Sequence, residues 1–116
     1  MTLTTNLGFP RIGARRELKH ALESHWRGDT PAADLQATAR ELRARHWALQ
    51  RESGIDLPPS NDFSLYDQVL DTAFLFDAIP QRYRALADAD PLAGYFALAR
   101  GYQRDRIDLH ALEMTQ

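Results

Sequence analysis

Apolar residues along the chain fall into stripes at helical spacing, punctuated by proline and glycine. Leu18, Ala21, Leu22 and Trp26 share one face of a run that begins at Ala14, and Gly28 supplies its stop. Leu35, Thr38, Ala39, Leu42, His46 and Leu49 then recur at steps of three and four. With Asp29 or Thr30 as cap, Pro31 at the first helical position and Gly54 beyond the end, they predict a helix over 31–52. Leu65, Val69, Leu70, Ala73 and Phe76 mark a third helix, capped by Asn61, Asp62 or Ser64 and closed at Ile79-Pro80. A charged, alanine-rich connection through "RALADAD" follows. Asp90-Pro91 starts a helix with Leu92, Tyr95, Phe96, Ala99 and Tyr102 on its stripe, ending near Gly101. Asp108 caps a last helix, "LHALEMTQ", of about two turns.

Between these helices, Leu7 to Gly13 and "IDLPPSNDF" read as short strands, each interrupted by proline. The order strand, helix, helix, strand, helix, helix suits the start of an α/β layout. Isolated helices shorter than about 12–15 residues are marginal in water, so a chain stopping inside one is expected to be a fragment.

Composition narrows the function classes. A length of 116 residues allows one modest domain, and the net charge of −2 gives no global attraction to nucleic acid or an anionic membrane. There is no cysteine, which removes disulfides, thiolate zinc sites and thiol nucleophiles. No stretch approaches a membrane span, and "MTLTTNLGF" lacks the features of a signal peptide, so a cytoplasmic protein is expected.

The chemistry concentrates at the start of the first helix, where Arg15 and Arg16 stand in the expected first turn with Lys19 one turn on. Cations at a helix N-terminus are unfavourable by roughly 0.3–1 kcal/mol each. Two readings stand side by side: a solvated helix face, or an anion site in which free backbone N–H groups and guanidiniums grip a carboxylate or phosphate. Gly13 would let a ligand approach the backbone, Glu17 would tether one arginine, and Arg11 would either join the positive patch or lie on the surface. His20, His25, His46 and His110 lack convergent spacing, so no metal site is expected, and His46 reads as a satisfied, partly buried residue. Asp67 and Asp71 read as a solvated stripe, "GFPRIG" matches no phosphate loop, and "RELRARHWALQR" reads as a solvated face rather than a nucleic-acid surface.

"LGFPRIGARRELKHALESHWRGD", "ELRARHWALQRESGIDLPPSNDFSLYDQVLDTAFL" and the closing "EMTQ" together resemble the N-terminus of the cobalamin-independent methionine synthases. The similarity spans nearly the whole chain and weakens between about positions 85 and 107. The resemblance implies an α/β fold, a helix-dominated incomplete piece of an N-terminal (β/α)8 barrel, with residues 1–116 as its truncated first portion, since such a barrel needs roughly 250 residues. It implies methyl transfer from 5-methyltetrahydropteroyltriglutamate to homocysteine. The zinc that activates the thiol is held by His, Cys and Glu in the C-terminal barrel, and those ligands are absent here.

Matched onto this chain, the family's folate polyglutamate contacts fall on Arg15, Arg16, Glu17 and Leu18, with Lys19 adjacent. A lysine ending the family's "EMT" motif is replaced by Gln116, which weakens that contact. No catalytic residue is expected, and the isolated chain is expected to be inactive. The alternative is a small helical binding module that uses an anion site at a helix N-terminus without catalysis.

Overall fold

The computed structural model describes residues 1–104 and 107–111, with the backbone alone at Ile107. It divides into two compact units, Met1–Leu65 and Tyr66–Gln116. Among the described residues the architecture is helix-dominated, five helices with one two-stranded sheet.

The first unit is a helical hairpin strapped by extended segments. Helix α1 (Glu17–Trp26) packs on α2 (Ala32–Glu52), burying Leu18 and Leu22 of one helix and Leu35, Ala39 and Leu42 of the other. Each such leucine contributes about 1.5–3 kcal/mol when fully buried. Both helices stop where glycine was expected to stop them. After α1, Gly28 at φ 83° donates to His25 O and Asp29 donates to Ser24 O; after α2, Gly54 at φ 95° donates to Arg51 O and Ile55 to Gln50 O. These paired bonds satisfy the last carbonyls of each helix through a left-handed residue, a conformation glycine adopts without steric penalty.

The starts differ from expectation. Pro31 occupies the cap position of α2 and not its first turn, and no side chain caps it. Asp29 instead pairs with Arg27 at 2.9 Å, and the Thr30 hydroxyl reaches Ser24 Oγ at 3.3 Å. Helix α1 begins three residues later than Ala14, because Arg16 sits at φ 58°, ψ 34° and cannot be part of a right-handed helix.

Leu7–Gly13 and 55–63 are not strands. Their neighbourhood holds one parallel bridge, Thr5 to Leu57, reinforced by Leu57 N–H on Thr4 O and by a Thr4 hydroxyl shared with Gly54 and Asp56. Parallel ladders gain their stability inside sheets covered on both faces, and Pro10, Pro58 and Pro59 each remove a donor. The extended chain is held instead by side chains. Asp62 accepts from Phe9 N–H at 2.8 Å, Trp47 Nε1 donates to Pro59 O, and Arg11 donates to the carbonyls of Ser64 and Leu65.

The second unit carries α3 (Gln68–Leu75), α4 (Gln81–Ala89) and α5 (Pro91–Arg100), followed by the antiparallel strands β1 (Tyr102–Arg104) and β2 (Ile107–Leu109). Asp67 caps α3, accepting from Val69 and Leu70 N–H, so the expected caps Asn61, Asp62 and Ser64 do not. Asp90 caps α5 through Ala93 N–H with Pro91 at its first turn, as expected. The connection through "RALADAD" is helical, and Tyr83 and Ala87 are buried by it. Tyr102 lies in β1 and not on the α5 stripe, and Asp108 lies in β2 and caps no helix; residues 112–116 of the expected last helix lie outside the described residues. Gly94 is required where α4 and α5 meet, since a Cβ there would stand 2.6 Å from Ala87 Cα. Tyr95 ties α5 back to the start of α3, its hydroxyl accepting from Tyr66 and Asp67 N–H at 3.0 Å.

Candidate functional site

The loop ahead of α1 is where sequence chemistry and geometry meet. Gly13 at φ +88° turns the chain, its carbonyl accepting Arg16 N–H at 3.0 Å, while Ile12 O accepts Leu18 N–H at 3.1 Å. Arg15 and Arg16 therefore precede the helix instead of forming its first turn, and the first helical position belongs to Glu17, the charge that the helix dipole favours. The left-handed residue keeps both guanidiniums out of the first helical turn.

Nor are the backbone donors at this helix start free. Glu17 Oε2 accepts Arg15 N–H at 3.0 Å, and Oε1 accepts from Arg45 Nη2 of α2 at 2.9 Å. Its own backbone N–H holds the Glu17 carboxyl below the usual carboxylate range, aided by the Arg15 N–H and the Arg45 guanidinium and opposed by burial. The close approach that Gly13 permits is used by this same side chain: a Cβ on Gly13 would stand 2.0 Å from Glu17 Oε2 and 3.0 Å from Leu42 Cδ2. An internal carboxylate thus occupies the place where a ligand anion was expected to meet the backbone.

The guanidiniums remain outward. Arg15 and Arg16 are exposed, and among the described residues neither forms an ion pair, whereas Lys19 lies 3.7 Å from Glu23. Leu18 is fully buried, and its N–H is already bonded to Ile12 O. Gln116 lies outside the described residues. Arg11 joins no positive patch, being engaged with carbonyl oxygens.

Arg15 and Glu17 also line an open cavity of about 600 Å³ whose other walls include Phe9, Ala14, Arg45, His46 and Leu49. Its floor is apolar and its rim is charged. His46 is buried and stacks on Phe9 with ring centroids 4.6 Å apart; burial, then the Arg45 charge, pushes its pKa below the ordinary histidine value. Arg45, Phe9 and His46 were not singled out for this site by the sequence. Arg45 and Glu17 are 28 positions apart, and only the antiparallel turn between α1 and α2 joins them.

Among the described residues no three His, Asp or Glu side chains converge as metal ligands, and the chain has no cysteine. The donor set present here does not fit the zinc that the resemblance implies. Beside an apolar wall, the arrangement leaves two exposed guanidiniums, Arg15 and Arg16, without an acidic partner among the described residues, while Arg45 and Lys19 are paired with Glu17 and Glu23. The family to which the site belongs is a matter of sequence. The chain matches the cobalamin-independent synthase N-terminal domain over residues 3–116 and belongs to that family.

Over all 116 residues it is 83% identical to the 5-methyltetrahydropteroyltriglutamate–homocysteine methyltransferase of Xylella fastidiosa strain M23. It is 56% identical over 117 aligned residues to the protein of that name from Bifidobacterium animalis subsp. lactis, and 55% identical over 122 to a probable one from Schizosaccharomyces pombe. The whole chain is covered in each case, yet it spans only 15–16% of the length of these relatives.

Proposed function

We propose that the chain is the opening portion of a cobalamin-independent methionine synthase, and that the loop ahead of α1 holds the glutamate tail of the folate substrate. The whole protein then moves a methyl group from 5-methyltetrahydropteroyltriglutamate to homocysteine in the cytoplasm, and this segment begins its N-terminal (β/α)8 barrel. The observation that carries the binding role is Arg16. A side chain in the left-handed region costs roughly 1–3 kcal/mol where glycine would not, and such residues cluster at functional sites. Here the strain projects a guanidinium that has no acidic partner among the described residues.

Arg15 and Arg16 supply planar two-pronged donors suited to carboxylates, each charge-assisted bond contributing about 1.5–3 kcal/mol. Lys19 adds a screened charge one turn along α1. Glu17 holds the loop and Arg45 in place, and the apolar cavity beside Arg15 offers a surface for the uncharged part of a ligand. Thiol activation requires lowering the thiol pKa, by a metal or neighbouring cations; the segment has no cysteine, and among its described residues no three His, Asp or Glu side chains converge, which supports the reading that it is inactive by itself.

Calorimetric titration of the chain with pteroyltriglutamate and with the monoglutamate tests the reading. Affinity that rises with tail length and falls with salt is expected; equal affinity for both, or affinity for unrelated acidic peptides without preference for folate, refutes it in favour of a general anion-binding module.

A further inference from the structure

Helix α3 is apolar on two sides, and only one is covered. Leu70 is buried and Phe74 meets Tyr95 edge to face at 5.6 Å, whereas Val69, Leu75 and Phe76 are 69%, 74% and 75% exposed. Val69, Ala73 and Phe76 follow the i, i+4, i+7 spacing of a single helix face. With Gln68, Thr72 and Ala78 they line an open groove of about 460 Å³ that contains no charged side chain. Five of the eight residues of α3 are apolar, Val69, Leu70, Ala73, Phe74 and Leu75, more than one covered face requires.

We propose that this groove seats the polypeptide that follows the present segment in a full-length synthase, an apolar helix or strand of the same N-terminal domain. The inference rests on the parent-enzyme reading above. The chain accounts for 15% of its Xylella relative, so most of the protein that would surround α3 lies outside it. A neutral apolar groove suits an interface formed once during folding, since obligate interfaces resemble a domain core cut in half. A second copy is a poor occupant: a stable dimer buries about 1,200–2,000 Å² in total, about 20–30 residues a side, and the groove is lined by six residues.

The test is a chimera in which residues 1–116 replace the matching segment of the Xylella relative, studied beside the 116-residue chain. In the short chain, Phe76→Ser and Val69→Ser are expected to leave the melting temperature unchanged, because both side chains already face water. In the chimera each should lower the first unfolding transition by on the order of 5–10 °C, as loss of a buried side chain does. Phe76→Leu, which keeps an apolar group, should recover most of that loss. Unchanged melting in both proteins overturns the proposal. So does an equal loss in both, or a concentration-dependent dimer of the short chain that Phe76→Ser abolishes. Methyl transfer by the unsubstituted chimera reads the parent-enzyme assignment separately: an active chimera with unmoved melting refutes the groove alone, and a folded but inactive one refutes the assignment alone.

Discussion

Replacing Arg16 with glycine should make the protein more stable while weakening its hold on an anionic ligand. Arg16 has φ 58° and ψ 34°, and it closes the turn from Gly13 before α1 begins. A left-handed L-residue costs about 1–2 kcal/mol. Glycine removes that cost but gives the unfolded chain more freedom, worth about 0.4–1 kcal/mol in the opposite direction. A net gain of about 0.5–1 kcal/mol remains, or roughly 2–6 °C in melting temperature for a domain of this size. Arg16→Ala is the control, since it removes the same exposed guanidinium and keeps the strained backbone; its stability should stay within about 0.5 kcal/mol of the parent. Urea unfolding of the three proteins side by side is sufficient. If glycine is no more stable than alanine at this position, the backbone is not strained and the functional argument built on it fails.

Other outcomes follow from the same contacts. Gly94→Ala should destabilise by about 2 kcal/mol, because the new Cβ meets Ala87 Cα at 2.6 Å and overpacking outweighs the better helix propensity of alanine; unfolding midpoints will decide. Glu17→Gln should change stability little, its partner Arg45 being half exposed, yet raise affinity for a polycarboxylate several-fold by removing the internal competitor; a fall in affinity measured by titration would show that Glu17 only positions the loop. His46 is depressed below 6.5 in the folded state, so as pH falls below about 6.5 the unfolded chain takes up the proton first and stability declines. Urea midpoints at pH 7.5 and 5.5 should reveal that decline, and His46→Phe should flatten it.

Helix ends were legible in the sequence wherever a backbone requirement had a residue to match it. Gly28 and Gly54 terminate their helices through left-handed positions, and Asp90-Pro91 starts one by a cap and a fixed φ. Ends without such a residue were not legible. Helix α3 stops through Asp77 at φ 56°, with Ala78 N–H on Ala73 O, where glycine would have announced it. Alternating charges disguised α4, whose buried side is only Tyr83 and Ala87. Strands β1 and β2 were hidden because Tyr102 continues the α5 spacing past Gly101.

At the candidate site the cluster of cations was visible, but its backbone was not. The displacement of α1 to Glu17 depends on a left-handed arginine that no propensity favours. The Arg45 partner came from another helix, beyond the reach of local pattern.

In the proposed function Arg15 and Arg16 grip the glutamate tail. The most direct test of this is the ratio of KM values for the monoglutamate and triglutamate methyl donors in the Xylella chimera, with and without Arg15→Ala/Arg16→Ala. The tail's advantage should shrink by at least tenfold in the double variant, about 1.4 kcal/mol, with kcat for the monoglutamate unchanged. An undiminished ratio would contradict the assignment.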